Sequence, residues 1–495
     1  MAVSNFSLRA ERQFNWSSLG LLLLLSSLVG YVLLSPVQSF GVKTFAIAGL
    51  LFFILALYLV IQNFEETWLF ITVLFISFLL EKHFGPQMFR EKYMIYNPTI
   101  TATDVLILVL MVTWLIKTVL NKNALPLRFK FFFRAAIFIA IVAISTRDTA
   151  VPFQARVGLF AFSKGFLLFL FFQSYLKTRR QLILVLIALT IGGCVQGLVG
   201  IAQQVAHSHF GFASSDSMTR YSEFRVVGML ASPARFAQYL NFIIFIPLGL
   251  VLVARKREVR IFAGFAFFIM LGGILFAFAR TTWLASFAGG IVVIWLLRER
   301  IMKGNIKVVL FFFWLTLLGS LIFGFIFFGP ISERISELAE RGDNMETSRI
   351  NRGIISMNMI KDNPYFGVGI NNATDNYLKY DYDELLYPPY ANLSYVHNNY
   401  LLVASEIGVV GLVFYLILIL SLMKSALELS RAPDNMVALT GTVIFASFCS
   451  FLLAGMTVAY PGNPFLAIFW FYLAVAGALL KNHHLLFEQP DELVN

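Results

Sequence analysis

Residues 397–423 read HNNYLLVASEIGVVGLVFYLILILSLM, and they join the two kinds of sequence in this chain. The stretch opens on His397, Asn398 and Asn399, then runs almost unbroken through apolar residues to Met423. As a helix, 400–423 is long enough to cross about 30 Å of hydrocarbon. Reading outward from it, similar runs occur near 17–34, 44–61, 64–80, 101–120, 131–146, 157–176, 182–205, 236–253, 261–279, 283–297, 308–329, 437–459 and 466–480. Composition agrees: 59% of the 495 residues are hydrophobic, 13% are charged and 53 are Phe, whereas soluble domains carry roughly 25% charge. The expected fold is an all-α polytopic membrane protein with about 14 transmembrane helices. Upstream of His397 lies the exception, a polar segment over 331–398 rich in Arg, Tyr, Asn and Asp. Lipid contact does not explain it, so it is the first place to look for function.

The cations set the expected orientation. Lys122, Arg128 and Lys130, then Lys177, Arg179 and Arg180, then Arg255, Lys256, Arg257 and Arg260, then Arg298, Arg300, Lys303 and Lys307 occupy short loops. With the spans above, all fall on one side together with Lys424, Arg431 and the C-terminal tail. Both termini are then cytoplasmic, and 331–398 forms one large external loop. The net charge of +11 is read as topology signal, and no nucleic-acid partner is implied. The first apolar run, with Arg9 and Arg12 before it and no small-residue cleavage pattern before Pro36, is expected to stay as a span. Cys194 and Cys449 fall inside spans and offer neither a disulfide nor a metal framework. Four regions follow: an N-terminal bundle (1–180), central helices with external Arg loops (181–330), the large loop (331–398), and C-terminal helices with a tail (399–495).

Arg225, Arg280, Arg349 and Arg352 depart from the positive-inside pattern, and Lys164 interrupts a span. Each can be a snorkelling cation or can face a substrate. Arg280 fits the first reading least, because it sits on a short turn between two apolar helices. Within the polar segment, Ile331, Ile335 and Leu338 alternate with Glu333, Arg334 and Glu337 as an amphipathic surface helix. Thr347 and Ser348 are placed to cap a second helix that ends at Asp362-Asn363-Pro364. Arg349 and Arg352 share one face of it. Gly367 and Gly369 mark a turn with unusual backbone angles. Tyr377, Tyr380, Tyr382, Tyr387, Tyr390 and Tyr395 suit sugar stacking or a membrane interface equally. Asp381-Tyr382-Asp383 has the form of a metal-binding acidic triplet, but lies on the wrong side of the membrane for nucleotide sugars. Asn372-Ala373-Thr374 and Asn392-Leu393-Ser394 are glycosylation sequons, which are meaningless if the organism is a bacterium.

The block Arg349…Lys361-Asp362-Asn363-Pro364-Tyr365-Phe366-Gly367-Val368-Gly369…His397-Asn398-Asn399-Tyr400-Leu401…Glu406-Ile407-Gly408…Gly411 resembles the signature of the O-antigen ligase and O-antigen polymerase superfamily. Arg225-Val226-Val227-Gly228 with Ser232-Pro233 is similar to the family's Arg-x-x-Gly…Pro-Asn loop, with Ala234 in place of Asn. Arg280-Thr281-Thr282-Trp283 is similar to its Ser-Arg-Gly-x-Trp turn, with Ala279 for Ser and Thr281 for Gly. The likeness covers about 190–425.

This resemblance implies a C-type glycosyltransferase fold in the bacterial inner membrane, with an active site facing the periplasm. The implied donor is an undecaprenyl-diphosphate-linked glycan; the acceptor is another lipid-linked unit or lipid A-core. Such a transfer needs a base for the acceptor hydroxyl and positive charge for the departing diphosphate. His397 suits the first task, since an imidazole with a pKa near 6.5 accepts a proton around neutral pH. It can equally be a cap on the helix that follows. Arginine forks suit the second, with Arg225, Arg280, Arg349, Arg352 and Lys164 as candidates and no metal or other cofactor expected. Asn398, Glu406, Gly367 and Gly369 are read as supporting residues. Glu406 lies about two and a half turns into the helix, placed to pair with an internal cation or polar backbone. A transporter of bicarbonate or another small anion, and a non-catalytic part of a polysaccharide exporter, are the rival readings.

Overall fold

The computed structural model describes residues 61, 63–78, 80–83, 98–120, 129–212, 224–254, 256–302, 344–385, 395–459 and 465–482. The chain divides into two units, Met1–Thr72 and Val73–Asn495. Helix α1 (Phe64–Phe75) begins in the first unit, where Asn63 Oδ1 caps it by accepting from the Glu65 and Glu66 amides at 3.0 and 3.3 Å.

In the second unit, two short strands, β1 (Glu81–His83) and β2 (Thr99–Thr101), pair antiparallel with Lys82 opposite Ile100. Everything else regular is helix: α2 (Ala102–Leu120), α3 (Phe132–Ile144), α4 (Pro152–Tyr175), α5 (Arg179–Ala206), α6 (Pro233–Ile243), α7 (Phe245–Val253), α8 (Arg257–Phe276) and α9 (Arg280–Met302). The polar segment supplies α10 (Asn344–Asp362) and α11 (Ala373–Tyr380). The chain then returns to apolar helices in α12 (Asn399–Ser430), α13 (Asn435–Ala454) and α14 (Phe465–Lys481). Among the described residues, eight helical spans are long and apolar enough to cross a membrane, with α6 and α7 together making one. The chain is an all-α polytopic membrane protein.

Every expected span that falls on described residues carries helix, but not always at the expected length. The run expected over 64–80 gives only the 12 residues of α1, too short for a bilayer, before the chain turns toward β1. Helices α3 and α14 are also short. The expected spans at 17–34 and 308–329, and that at 44–61 apart from Ile61, lie outside the described residues. So does the amphipathic helix expected over 331–338. Helix α10 begins at Asn344, ahead of the cap expected at Thr347 and Ser348, and ends at Asp362 as expected.

The span at 233–253 breaks at Ile244, and Pro247 is the physical reason. Proline has no N–H to return to the Ile243 carbonyl four residues earlier, and its ring crowds that turn. Just before the break, neighbouring helices bond to this span: the Phe242 carbonyl accepts from Ser447 Oγ at 2.8 Å and Tyr472 Oη at 2.9 Å. Helix α5 packs on α8, α13 runs beside both α12 and α9, and α14 lies along α4. At the far end of α12 the cations do more than signal topology. Arg179 pairs with Asp434 at 2.6 Å, both largely buried, while Asp434 caps α13 through the Met436 and Val437 amides. Arg300 donates to Asn435 Oδ1 at 2.9 Å and to the Ser430 and Ala432 carbonyls. Cations at a helix C-terminus offset its partial negative charge, so these two arginines fasten the α12–α13 turn.

Candidate functional site

The expected site residues fall into two clusters. The first is built on α5, whose Gln196 and Gln203 are seven residues apart and share one face of the helix. Gln203 Oε1 accepts from the Val227 and Gly228 amides at 3.0 and 2.9 Å, and its Nε2 donates to the Gly228 carbonyl at 2.7 Å. Gln196 Oε1 accepts from the Met229 amide at 2.9 Å. Two membrane-helix amides thus do for this loop what a strand partner would do, satisfying backbone groups that apolar surroundings would leave unpaired. Gly228 has φ +53°, and a Cβ there would run into Phe236 and Gln196, which explains glycine three residues after Arg225.

The loop so held presents Arg225. Its Nη2 donates to the Phe278 carbonyl at 3.1 Å, and its own carbonyl lies 2.8 Å from His209 Nε2. Phe278 sits in the three-residue turn between α8 and α9 with φ +51°, a costly conformation for an aromatic residue. Arg280 follows directly, exposed at the first position of α9. The motif's other members anchor the turn: Trp283 Nε1 donates to the Ile274 carbonyl at 3.0 Å, and Thr282 Oγ1 accepts from Gln238 Nε2 at 2.9 Å. Arg225 and the Arg280 turn, 53 residues apart at the Arg225–Phe278 bond, are therefore one structure.

Lys164 is placed differently. Its Nζ forms an ion pair with Asp104 at 2.6 Å and donates to the Thr99 carbonyl at 2.9 Å, so its charge is matched within the α2–α4 packing.

The second cluster is the described part of the polar segment. It has its own small core: Ile355 and Met359 from α10, Tyr377 and Tyr380 from α11, and Val368, Val396 and Leu402 are buried together. Arg349 is exposed on α10, while Arg352, one turn later, is half-buried. Burial pushes the Tyr377 hydroxyl well above its ordinary pKa, and the nearby Arg352 charge pulls it back. Arg352 thus lies near the Tyr377 hydroxyl. Of the acidic triplet, Asp381 Oδ1 accepts from the Leu385 amide at 2.8 Å and Tyr382 bonds to Asp362; Asp383 is exposed.

His397 is half-buried, with its ring 5.7 Å from that of Tyr395. The cap of α12 is Asn398, not His397. Asn398 Oδ1 accepts from the Tyr400 and Leu401 amides, both at 2.9 Å, and Nδ2 donates to the Met456 carbonyl at 3.0 Å. Histidine is thereby relieved of the capping role that sequence alone left open. The same end is tied down by Asn399 N to the Gly455 carbonyl (2.8 Å) and Tyr400 Oη to the Leu452 carbonyl (2.6 Å).

Helix α12 is not continuous. Gly408 has φ +76° and ψ 174°, which splits it into an arm over 399–407 and another over 409–430. The bend is large. Asn399 and Tyr415 would be about 24 Å apart along a straight helix, yet Asn399 Nδ2 donates to Tyr415 Oη at 3.1 Å. The groups released by the break are taken by the turn after α10: Val368 N donates to the Ser405 carbonyl (2.8 Å), Gly369 N to the Glu406 carbonyl (2.9 Å), and Val409 N to the Pro364 carbonyl (2.7 Å). Gly367, Gly369 and Gly408 all have positive φ; a Cβ on Gly367 would strike the Ser405–Glu406 backbone and one on Gly408 the Tyr365 backbone, while one on Gly369 would strike Thr149. Glu406 is buried at 7% exposure, and its Oε1 accepts from the Ala373 amide at 3.4 Å, at the start of α11. A cavity of about 60 Å³ lies in the angle between the arms, edged by Asn399, Glu406, Tyr415 and several phenylalanines. Ligand sites run to about 300–1,000 Å³, so this space belongs to helix packing.

The break, the glutamine clamp and the Asn398 cap were not part of the sequence reading. A signal existed for the clamp: paired amides on one face of a membrane helix, which must find partners.

A family model described as O-antigen ligase matches residues 265–416. No match was found among curated proteins. The matched stretch runs from α8 through the Arg280 turn, α10, the glycine turn and His397 into the second arm of α12, leaving Arg225 and Lys164 outside it. Over residues 265–416 the chain is thus similar to the O-antigen ligase family, which supports the resemblance to the O-antigen ligase and polymerase superfamily.

Proposed function

We propose that this protein is a glycosyltransferase of the bacterial inner membrane that moves an undecaprenyl-diphosphate-linked glycan onto an acceptor at the periplasmic face. In this reading the acceptor hydroxyl attacks the anomeric carbon, the carbon–oxygen bond to the lipid diphosphate breaks, and His397 takes the hydroxyl proton. Arg225, Arg280, Arg349 and Arg352 receive the charge of the departing diphosphate as paired forks that stay protonated at any working pH. Lys164 is left out of this role because Asp104 already matches its charge. Both termini are cytoplasmic, and no metal takes part.

The observation that carries the reading is that the family match spans both His397, whose capping task Asn398 performs instead, and the exposed Arg280. A broken membrane helix such as α12 is also a transporter feature. Here, however, the Ser405 and Glu406 carbonyls opened by the break accept amides of the chain's own turn, which favours a fixed scaffold over an ion path. The test is the lipid-linked glycan pool in a deletion strain. Loss of long chains identifies a polymerase, accumulation of unattached long chains a ligase, and an unchanged glycan pattern overturns the proposal.

A further inference from the structure

We infer that Glu406 is a positioning residue, a neutral-acceptor clamp that fixes the arm bearing His397 against the arginine-bearing layer of α10 and α11. The inference rests on the proposed reaction for its kinetic consequence, but the clamp itself is a matter of geometry. His397 leads directly into a nine-residue arm over 399–407. Its near end is held by Asn398, Asn399 and Tyr400 to the end of α13. The far end is Glu406, whose carboxylate accepts from the backbone amides of Asn371 and Ala373 as α11 begins. An acceptor oxygen at a helix start meets backbone amides that have no partner within the helix. Helix α11 in turn packs on α10, which carries Arg349 and Arg352. The backbone bonds at Val368, Gly369 and Val409 hold the same junction, and the side chain of Glu406 adds the tie from the arm to the start of α11. Transfer needs the base and the diphosphate-binding arginines in register at once. A misplacement of about 1 Å between such groups costs on the order of 10²-fold in rate without weakening either binding event. Glu406 therefore acts through distance, and its negative charge is dispensable.

Two substitutions separate this from a chemical role. Glu406→Gln keeps an acceptor oxygen at the same reach and loses the charge. Glu406→Asp keeps the charge and, one methylene shorter, loses the reach. Purified variants are assayed with the lipid-linked glycan pool extracted from the same cells, and amide hydrogen exchange is followed over 368–373. The clamp predicts that the Gln variant stays within about threefold of the parent kcat. The Asp variant falls by about tenfold to a hundredfold in kcat with an unchanged KM for donor, and its 371–373 amides exchange faster. An active Asp variant with an inactive Gln variant overturns the inference, as does unchanged exchange in the Asp variant. The exchange arm decides the clamp even if His397→Ala, run alongside, retains full transfer and so removes the proposed reaction.

Discussion

The Arg225 loop and the glycine turn after α10 both set charged residues beside membrane helices, and they are held by opposite means. In the first, side chains of an intact helix reach out to loop backbone: Gln203 and Gln196 bond Val227, Gly228 and Met229. In the second, the helix itself opens at Gly408, and its backbone pairs directly with Pro364, Val368 and Gly369. The difference is one of tolerance. A side-chain clamp can be cut by one substitution while both helix and loop persist. A backbone register depends on glycines whose replacement strains both chains at once. The arginine side of the molecule should therefore respond to mutation in graded steps, and the His397 side in an all-or-none manner.

The largest effect expected is at His397. His397→Ala should reduce transfer by about 10²- to 10⁴-fold, the usual span for loss of a general base, while the protein inserts and accumulates normally because Asn398 still caps α12. The measurement is transfer by purified variant with lipid-linked glycan from the same cells. Near-normal turnover would leave the two regions as scaffolds of equal rank, with no base on either.

Next is Arg280→Lys. A lysine keeps the charge but offers a point donor where arginine offers a planar fork, so kcat should fall by about tenfold to a hundredfold, each factor of ten being about 1.4 kcal/mol. Arg280 is exposed, so the fold has little reason to suffer, and an unchanged melting temperature with full activity would remove it from the diphosphate.

Gln203→Ala sharpens the comparison most directly. It leaves the Val227 and Gly228 amides without their acceptor, at a cost of about 1–3 kcal/mol each where water cannot reach, yet touches no charge. The expected result is a loss of about tenfold in transfer with Arg225 intact, partly recovered in Gln203→Glu, which retains the accepting oxygen. Equal activity of Gln203→Ala and the parent would mean that the loop is held from elsewhere.

How much of this could be read beforehand follows the same division. Apolar length located the helices, because spanning segments must satisfy every backbone group internally; it could not locate breaks, since Gly408 inside an apolar run looks like any small packing residue. Pro247 did carry a break signal, and the span at 236–253 was nevertheless read as whole. The stretch around His397 stood out because polar residues at the mouth of a span need a reason. Its reason is shared, with Asn398 capping and Asn399 bonding Tyr415. The pairing of Arg225 with Phe278 was out of reach, since nothing in local sequence records which loop meets which turn. Lys164 looked like Arg225 by position alone, and only the fold supplied Asp104 as its partner.

The smallest effect expected is none at all, and it tests whether the arginine region suffices for the leaving group. If fixed guanidinium groups neutralise the diphosphate, EDTA should leave turnover unchanged, and so should Asp383→Asn. Asp381→Asn should also remain active, because its Oδ1 serves as acceptor for the Leu385 amide and asparagine keeps that oxygen. The alternative is a divalent ion bridging phosphate oxygens, as in many phosphoryl sites, with the acidic triplet as its natural holder. Turnover that EDTA abolishes and Mg²⁺ or Mn²⁺ restores would shift the charge from the graded region to the metal. Loss of that rescue in Asp383→Asn would then locate the ion on the triplet. A chelator-insensitive rate that falls with Arg280→Lys would place the charge with the arginines rather than with a metal.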